Sequence, residues 1–256
     1  PALSVVRVGA LPLEGAQVVL ESVSWEKKAV NPHGLAFLSG QVAAAPEPLA
    51  PLAPLLEQSL GRLGAALGAA GLESADVRRI TCYLSSLDDA LNLRIRLAKA
   101  FPQAALNLVQ GQRTLGRSTV QCEAVARLRQ EPAAPVRFLN TPGIAPRLGF
   151  SAVALAGPAR LALSGTQLAF GFEEPDARLA YQRLEKSLEQ GGAAPDGVIV
   201  LNIYPLSEAI GETAWKARDA SAGASPPAGT AAVLEGLASL DAAFALDVVA
   251  LALGKP

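Results

Sequence analysis

The sequence contains few of the residues that most often transfer protons or bind metals. Its 256 residues include one histidine, two cysteines and no methionine, and aromatic residues make up only 5%. The single histidine, His33, lies in Asn31–Gly34, a stretch whose composition predicts a turn. No second histidine and no carboxylates with ligand spacing accompany it, so the sequence predicts no metal site and indicates no cofactor.

Charged residues are few and nearly balanced. The chain has 22 basic and 23 acidic residues, a formal net charge of −1, and 18% charged residues in all. Proteins that bind nucleic acid usually carry a basic excess or a basic stripe, so we expect no nucleic-acid partner. No apolar run reaches the roughly 18 residues needed to span a bilayer, and the first ten residues lack the pattern of a signal peptide. We therefore expect a soluble cytoplasmic protein without membrane contact.

The two cysteines give a weak indication of the cellular compartment. Cys82 and Cys122 lie in separate apolar runs and do not form a C-x-x-C pair, which argues against a zinc site. Free cysteine is among the residue types most often buried, so the sequence predicts two buried free thiols. So few cysteines in a chain of this length favour a reducing compartment.

The apolar residues, half of the chain, are arranged as a tandem repeat. Leu35–Gln41 resembles Leu161–Gln167, and in each run a strand-like apolar pattern leads to a Ser-Gly turn signal. A helical pattern follows in each half, and then an alternating strand. These strands, Val77–Leu84 and Val198–Pro205, correspond at an offset of 121 residues. Chance similarity within one large domain is the alternative, but the repeated order of elements argues against it.

The repeat predicts the domain organisation. Each half reads as strand, helix, strand, helix, strand and strand, and further strand is expected at the front of each half, at 17–20 and 136–139. A stretch with two prolines, 131–135, predicts a linker. We therefore predict an α+β fold with two tandem domains, 1–130 and 136–256, each a mixed sheet with two helices on one face.

The order of short motifs resembles that of the YjgF/Rid family of reactive imine and enamine deaminases. In the first half the motifs are an apolar strand containing Ser39–Gln41, a helix that ends before Gly71, a strand with Tyr83, and the late run Glu123–Ala126. The resemblance covers roughly residues 22–128 closely and roughly 136–253 more loosely. It implies that domains pack their sheets around a threefold axis, with small-molecule sites between neighbouring domains.

The resemblance also implies which residues act in the site. Glu123 corresponds to the glutamate that positions the attacking water, and Asp247 takes its place in the second half. A solvated strand face is the alternative interpretation of both carboxylates. The residues expected to line the substrate site are Trp25, Ser39, Asn92, Phe150 and Ser164.

The arginine that holds the substrate carboxylate in the family has no counterpart. Ala104 or Ala105 takes its place in the first half and Gly229 in the second. Arg113 and Arg117 lie further along the chain and are alternatives, although a turn and an exposed edge explain them as well. Without that arginine we expect negligible hydrolysis of imines of the 2-aminoacrylate type.

Three functional hypotheses follow. The first is a diverged Rid-like protein that binds or hydrolyses a small metabolite in a cleft between domains. The second is a non-catalytic regulatory or scaffold module whose sites have decayed. The third and weaker one is a chorismatase-like hydrolase, a group for which the chain is short.

An assembly is expected from the same pattern. The strands Val77–Leu84 and Val198–Pro205 have apolar residues in both alternation sets, which predicts that both faces of each sheet are covered. Two domains cannot close a threefold ring. We therefore expect a homo-oligomer, most simply a trimer of chains, with a small-molecule ligand bound between domains.

Overall fold

Helices and strands alternate along the part of the chain that the computed structural model describes, which is residues 4–13, 15–23, 31–112, 117–144, 147–218 and 226–252. The elements of the first half are β1 (Val6–Arg7), β2 (Leu35–Ala45), α1 (Leu52–Ala69), β3 (Val77–Leu84), α2 (Ala90–Ala100), β4 (Ala105–Gln110) and β5 (Ser118–Arg127). Those that follow are β6 (Val136–Leu139), β7 (Val153–Ala156), β8 (Leu161–Leu163), β9 (Gln167–Ala169), α3 (Glu174–Gln190), β10 (Ala193–Pro205), α4 (Glu208–Lys216), β11 (Ala228–Ala231), β12 (Gly236–Leu237) and β13 (Phe244–Ala252).

The two main sheets share one topology. The first has the strand order β4-β3-β5-β2-β7-β6, and the second has the order β11-β10-β13-β8, with β9 also paired to β13. In each sheet one pair is parallel, β3 with β4 and β10 with β11, and the other pairs are antiparallel. A helix connects each parallel pair, as a parallel crossover requires. The predicted α+β fold of two tandem repeats is confirmed.

Two helices cover one face of each sheet. Helix α1 buries Leu56, Leu63 and Leu67, which recur at the spacing of a single helical face. Helix α3 likewise buries Leu184 and Leu188. The strand residues that alternate toward the helices complete a separate apolar core in each repeat. These leucines form the face that each helix turns to its sheet, whereas Leu179, which the sequence pattern groups with Leu184 and Leu188, is 53% exposed.

The opposite faces of the two sheets pack against each other. Phe37 and Ala154 of the first sheet share an apolar cluster with Val200 and Val249 of the second. Along β13, Val248 and Ala250 belong to the helix-covered core, whereas the intervening Val249 belongs to this second cluster. Both faces of these strands are therefore covered inside one chain.

Strands β6 and β7 extend the first sheet, although they follow the predicted linker at 131–135. Strand β7 pairs antiparallel with the beginning of β2, and β6 pairs with β7. At Gly34 a Cβ would stand 2.0 Å from the carbonyl oxygen of Ala156, so this approach of the two backbones requires glycine. The first sheet thus takes strands from both sides of the linker, and the domain boundary stays a prediction.

The two expected front strands have different outcomes. Val136–Leu139 is a strand, as predicted. The prediction of a strand at Gln17–Leu20 is wrong, because this segment has no strand partner among the described residues, and Val18 and Leu20 are 72% and 88% exposed. A short apolar sequence with β-branched residues forms a strand only where a neighbouring strand receives its backbone hydrogen bonds.

The prediction of two free thiols is also wrong, because Cys82 and Cys122 form a disulfide. They stand directly opposite each other on the antiparallel strands β3 and β5, with their Cα atoms 4.1 Å apart. Residues opposite each other in such a pair bring their side chains together, and the sequence alone does not reveal the register. The two cysteines whose small number favoured a reducing compartment are thus paired, and the compartment stays a prediction. Among the described helices, none is long and apolar enough to cross a membrane.

Candidate functional site

The strands of the first repeat direct a row of polar side chains toward the second repeat. On β3, Ile80, Cys82 and Leu84 belong to the core beneath the helices, so the alternating residues Arg79, Thr81 and Tyr83 lie on the opposite face. On β5 the same alternation gives that face to Gln121 and Glu123. The strand register places Thr81 opposite Glu123 and Tyr83 opposite Gln121.

The second repeat presents corresponding residues to the first. On β10 these are Asn202 and Tyr204, and the register places Asn202 opposite Asp247 on β13. Thr230 on β11 lies beside Asn202. The two sheets pack through these faces, so the side chains form one polar group, which we call the inter-repeat cluster: Arg79, Thr81, Tyr83, Gln121, Glu123, Asn202, Tyr204, Thr230 and Asp247.

Glu123 is a buried carboxylate of this cluster, and it faces the guanidinium of Arg79. Its side chain is 13% exposed, and its Oε1 lies 3.8 Å from Nη2 of Arg79. The hydroxyl of Thr230, from the other repeat, donates a hydrogen bond to its Oε2. Burial raises the pKa of Glu123, and Arg79 and Thr230 offset only part of this rise. The nearby charge of Asp247 raises the pKa of Glu123 further.

Asp247 has more hydrogen-bond donors around it. The Ser4 hydroxyl donates to Oδ2 at 2.7 Å, and the Asn202 amide donates to Oδ1 at 3.1 Å. Burial raises the pKa of Asp247, while the bonds from Ser4, Asn202 and Tyr204 oppose the rise because they stabilise the charged form. The two carboxyl groups, one from each repeat, thus lie in a shared environment that favours retention of a proton.

Two tyrosines lie in the field of both carboxylates. Burial raises the pKa of Tyr83 well above its ordinary value, and the charge of Glu123 raises it further. Burial does the same to Tyr204, and the charge of Asp247 adds to it. Both phenols therefore keep their protons and can donate hydrogen bonds in the cluster.

Besides Nε of Arg79, which forms an ion pair with Glu21, two buried polar atoms of the cluster have no hydrogen-bond partner among the described residues. These are Oγ1 of Thr81 and Nε2 of Gln121, whose residues are 3% and 7% exposed. Most buried polar side chains in proteins are paired. The hydroxyl and the amide are therefore groups to which a bound molecule can hydrogen-bond.

Arg79 is the cation that faces Glu123, and the sequence pattern did not single it out. Its side chain is 34% exposed, and it forms an ion pair with Glu21. The amide of Asn107 donates to the other oxygen of Glu21 at 2.9 Å. The alternation of Arg79 with Thr81 and Tyr83 on one strand was the available signal for its position.

The position of the missing family arginine is closed in the second repeat. At Gly229 a Cβ would stand 1.9 Å from the carbonyl oxygen of Leu201 and 2.9 Å from Cε1 of Phe150, so no side chain fits. In the first repeat the strand register gives the corresponding place to Leu106, opposite Ile80, rather than to Ala104 or Ala105. Neither place carries a cation.

The Ser-Gly serine of the first repeat has a structural role. Ser39 is buried, its hydroxyl donates to the carbonyl oxygen of Ser151 at 2.5 Å, and it accepts the Gly229 N–H at 2.8 Å. The strand does not end at this Ser-Gly: β2 continues to Ala45 and bulges between Leu38 and Gln41. Ser39 thus joins the two repeats beside the cluster.

The other predicted site residues lie apart from the inter-repeat cluster. Phe150 is a buried core residue that packs edge-on against Trp215, with 4.4 Å between ring centroids. The Ser164 hydroxyl accepts the Val248 N–H at 2.9 Å. Asn92 is exposed on α2, where it donates to Asp89 at 2.9 Å.

Three further candidates are accounted for as follows. Trp25, the expected front aromatic of the first half, and Arg113 lie outside the described residues. Arg117 pairs with Glu208 and thereby links the first repeat to the helix α4 of the second. Of the sequence-predicted site residues that the structure describes, Glu123 and Asp247 are the two that the fold brings into one cluster.

No family model matches the chain, and no curated protein matches it. Among solved structures the chain is similar to the Rid-family protein YyfB from Yersinia pestis, of unknown function, with 21% identity over 46% of this chain and 99% of that one and a TM-score of 0.40. A YjgF-family protein from Mycobacterium tuberculosis has 17% identity over 45% and 98%, with a TM-score of 0.33. One from Neisseria meningitidis has 20% identity over 45% and 93%, with a TM-score of 0.31. Each corresponds in length to about one repeat.

Proposed function

We propose that the protein binds a small metabolite with a carboxylate and a C=N or C=O group in the inter-repeat cluster, and that it hydrolyses imines of this kind. One observation carries the proposal. Glu123 and Asp247, one from each repeat, lie in one buried cluster where their pKa values are raised, and Arg79 stands beside them. Buried titratable groups with a specific charge partner are typical of functional sites.

Arg79 is suited to anchor the substrate carboxylate. A planar guanidinium can donate two parallel hydrogen bonds to a carboxylate. Arg79 reaches solvent on one side and faces Glu123 on the other, so a molecule held by it would extend toward Glu123. The expectation of negligible hydrolysis assumed that no other cation can hold the substrate carboxylate. Because Arg79 is suited to hold it, this expectation no longer follows.

The two carboxyl groups can divide the proton transfers of hydrolysis. Glu123, the carboxyl with fewer donors, gives its proton to the imine nitrogen. Asp247, stabilised as an anion by Ser4 and Asn202, takes a proton from the water molecule whose oxygen bonds to the imine carbon. In the second step the Glu123 carboxylate takes the hydroxyl proton and Asp247 returns its proton to nitrogen. The C–N bond breaks, ammonia leaves and a carbonyl remains, with both carboxyl groups restored.

A second candidate is a non-catalytic binding or scaffold module. It is favoured by the bonds that already tie the repeats together. Thr230 donates to Glu123, and Ser39 bridges Ser151 and Gly229 where the family arginine would stand. In this alternative the carboxylates fix the two repeats relative to each other and transfer no protons.

Binding and turnover measured separately decide between these candidates. Calorimetry with pyruvate and 2-oxobutyrate tests binding, and ammonia release from imines of the 2-aminoacrylate type tests hydrolysis. We expect Arg79→Met to weaken binding at least about tenfold, and Glu123→Gln and Asp247→Asn to lower hydrolysis by roughly 10²–10⁴. Arg96→Met removes a surface arginine that pairs with Glu57 and is the matched control.

Each outcome has a defined meaning. Binding without hydrolysis favours the non-catalytic module. Equal hydrolysis by wild type and Glu123→Gln removes Glu123 from the mechanism. If neither 2-oxo acid binds to the wild-type protein, the proposed function is wrong.

The expected homo-oligomer belongs to the same proposal. Its premise was a sheet face that only another chain could cover, and the two sheets of one chain already cover each other in part. Large apolar side chains remain exposed elsewhere, among them Phe172 and Leu240. Sedimentation equilibrium distinguishes a trimer from a monomer of 26.3 kDa.

A further inference from the structure

The carboxylate of Glu21 occupies the outer side of Arg79. One of its oxygens forms the ion pair with the Arg79 guanidinium, and the other accepts the Asn107 amide at 2.9 Å. A guanidinium and an amide that hold the two oxygens of one carboxylate constitute a carboxylate site. In this structure the carboxylate comes from the chain itself.

The segment that carries Glu21 is weakly held. Residues 17–23, which we call the N-terminal strap, form no backbone hydrogen bond with other described residues, and every side chain in it is exposed. The exposed set includes large apolar side chains that a stable position would bury, namely Val18, Val19, Leu20 and Val23. Few buried contacts and no backbone pairing are the properties of segments that open at low cost.

The strap and the cluster are therefore coupled through one side chain. Within the strap, the described hydrogen bond and ion pair come from the Glu21 side chain, and they go to Asn107 and Arg79. On its other side Arg79 faces Glu123. Any carboxylate ligand that takes both Arg79 and Asn107 must displace Glu21.

We infer that Glu21 is an internal competitor for a carboxylate site formed by Arg79 and Asn107, and that the strap leaves when a metabolite carboxylate takes its place. The inference rests on the proposed function and adds an inhibitory contact to it. When the Arg79–Asn107 site is free in only a fraction of the molecules, the apparent affinity for the ligand falls by that fraction. Removal of the Glu21 carboxylate should therefore raise the apparent affinity.

The test compares two glutamates that each pair with one arginine. Glu21→Gln removes the competing charge, and Glu57→Gln removes the charge of the exposed Glu57–Arg96 pair as a control. With pyruvate as the probe, we expect Glu21→Gln to lower the dissociation constant roughly two- to fivefold, which corresponds to the free energy of a partly exposed ion pair. Glu57→Gln should leave it unchanged.

A second measurement follows the strap itself. Thermolysin cleaves before large apolar residues and so reports release of the segment around Val18–Leu20. Cleavage there should be faster in Glu21→Gln than in Glu57→Gln, and saturating pyruvate should accelerate it in the wild type but not in Arg79→Met. Unchanged affinity and unchanged cleavage in Glu21→Gln, with binding still lost in Arg79→Met, overturn the internal competitor and leave the proposed function standing. Absence of pyruvate binding in both wild type and Glu21→Gln overturns both.

Discussion

The hydroxyl of Thr230 donates a hydrogen bond to the carboxylate of Glu123, and this bond crosses from the second repeat to the first. Thr230 lies on β11 and Glu123 on β5, strands of separate sheets. A polar cluster that combines residues of the two repeats is thereby formed inside a single chain. The unequal residues of the two repeats, Glu123 and Asp247, can then take unequal roles in one cluster.

The first prediction concerns the pH dependence of stability. Because burial raises the pKa of Glu123, the folded protein keeps a proton that the unfolded chain has already lost at the same pH. The free energy of unfolding should therefore fall as pH rises from about 4.3, the ordinary glutamate value, through the raised pKa. Glutamine cannot ionise, so Glu123→Gln should flatten this decline.

Urea unfolding at a series of pH values between about 4 and about 8 measures the slope. Glu57→Gln is the control, because Glu57 is exposed and should leave the wild-type slope in place. If the profiles of Glu123→Gln and wild type coincide, Glu123 is not a buried proton-retaining group.

The second prediction concerns the closed position at Gly229. A methyl group there would meet the carbonyl oxygen of Leu201, so Gly229→Ala forces backbone movement and should cost about 3 kcal/mol. Gly61 in helix α1 has no atom within 4 Å of its would-be Cβ. Gly61→Ala should therefore stabilise the protein by up to about 1 kcal/mol, since alanine favours helix. A small effect of Gly229→Ala in urea unfolding would show that the position has room for a side chain.

The third prediction concerns the disulfide. A thiol reagent should detect no free thiol in the unfolded, unreduced protein, and both cysteines should react after reduction. Replacing both residues, as Cys82→Ala with Cys122→Ala, should cost about 4 kcal/mol because the unfolded chain loses a cross-link that closes a 40-residue separation. Two reactive thiols in the unreduced protein would contradict the disulfide.

The fourth prediction concerns Asp76, a buried carboxylate between α1 and β3. Burial opposes ionisation of Asp76, but the Glu73 N–H and the guanidinium groups of Arg129 and Arg127 outweigh it and lower its pKa. Its contribution to stability is therefore present above the ordinary aspartate pKa of about 3.9 and is lost as pH falls through the lowered value. Asp76→Asn should cost about 2 kcal/mol.

Asp176 provides the matched control for that measurement. It accepts the N–H of Glu173 at the start of α3, as Asp76 accepts that of Glu73. It lacks a described arginine partner, so Asp176→Asn should cost only about 1 kcal/mol. Equal losses in the two variants would show that the arginines contribute nothing at Asp76.

The residues of the site show how far sequence reasoning reached. Glu123 and Asp247 were named because the family resemblance implies a carboxylate near the end of the last strand of each half, and such a motif is a local pattern. Arg79 was passed over because its role depends on which strand lies opposite β3. Ser39 was expected to meet substrate, but its hydroxyl is taken by Ser151 and Gly229, residues 112 and 190 positions away.

The sequence by itself determined the elements and their order. Apolar spacing along α1 and α3, and alternation along β3 and β10, are local properties that fix helix, strand and buried face. The tertiary structure decided which elements meet. It paired Cys82 with Cys122, joined Thr230 to Glu123, and left the apolar segment at 17–20 without a strand partner among the described residues. Strand register and the packing of two sheets depend on contacts between residues far apart in the chain, so a local periodicity does not predict them.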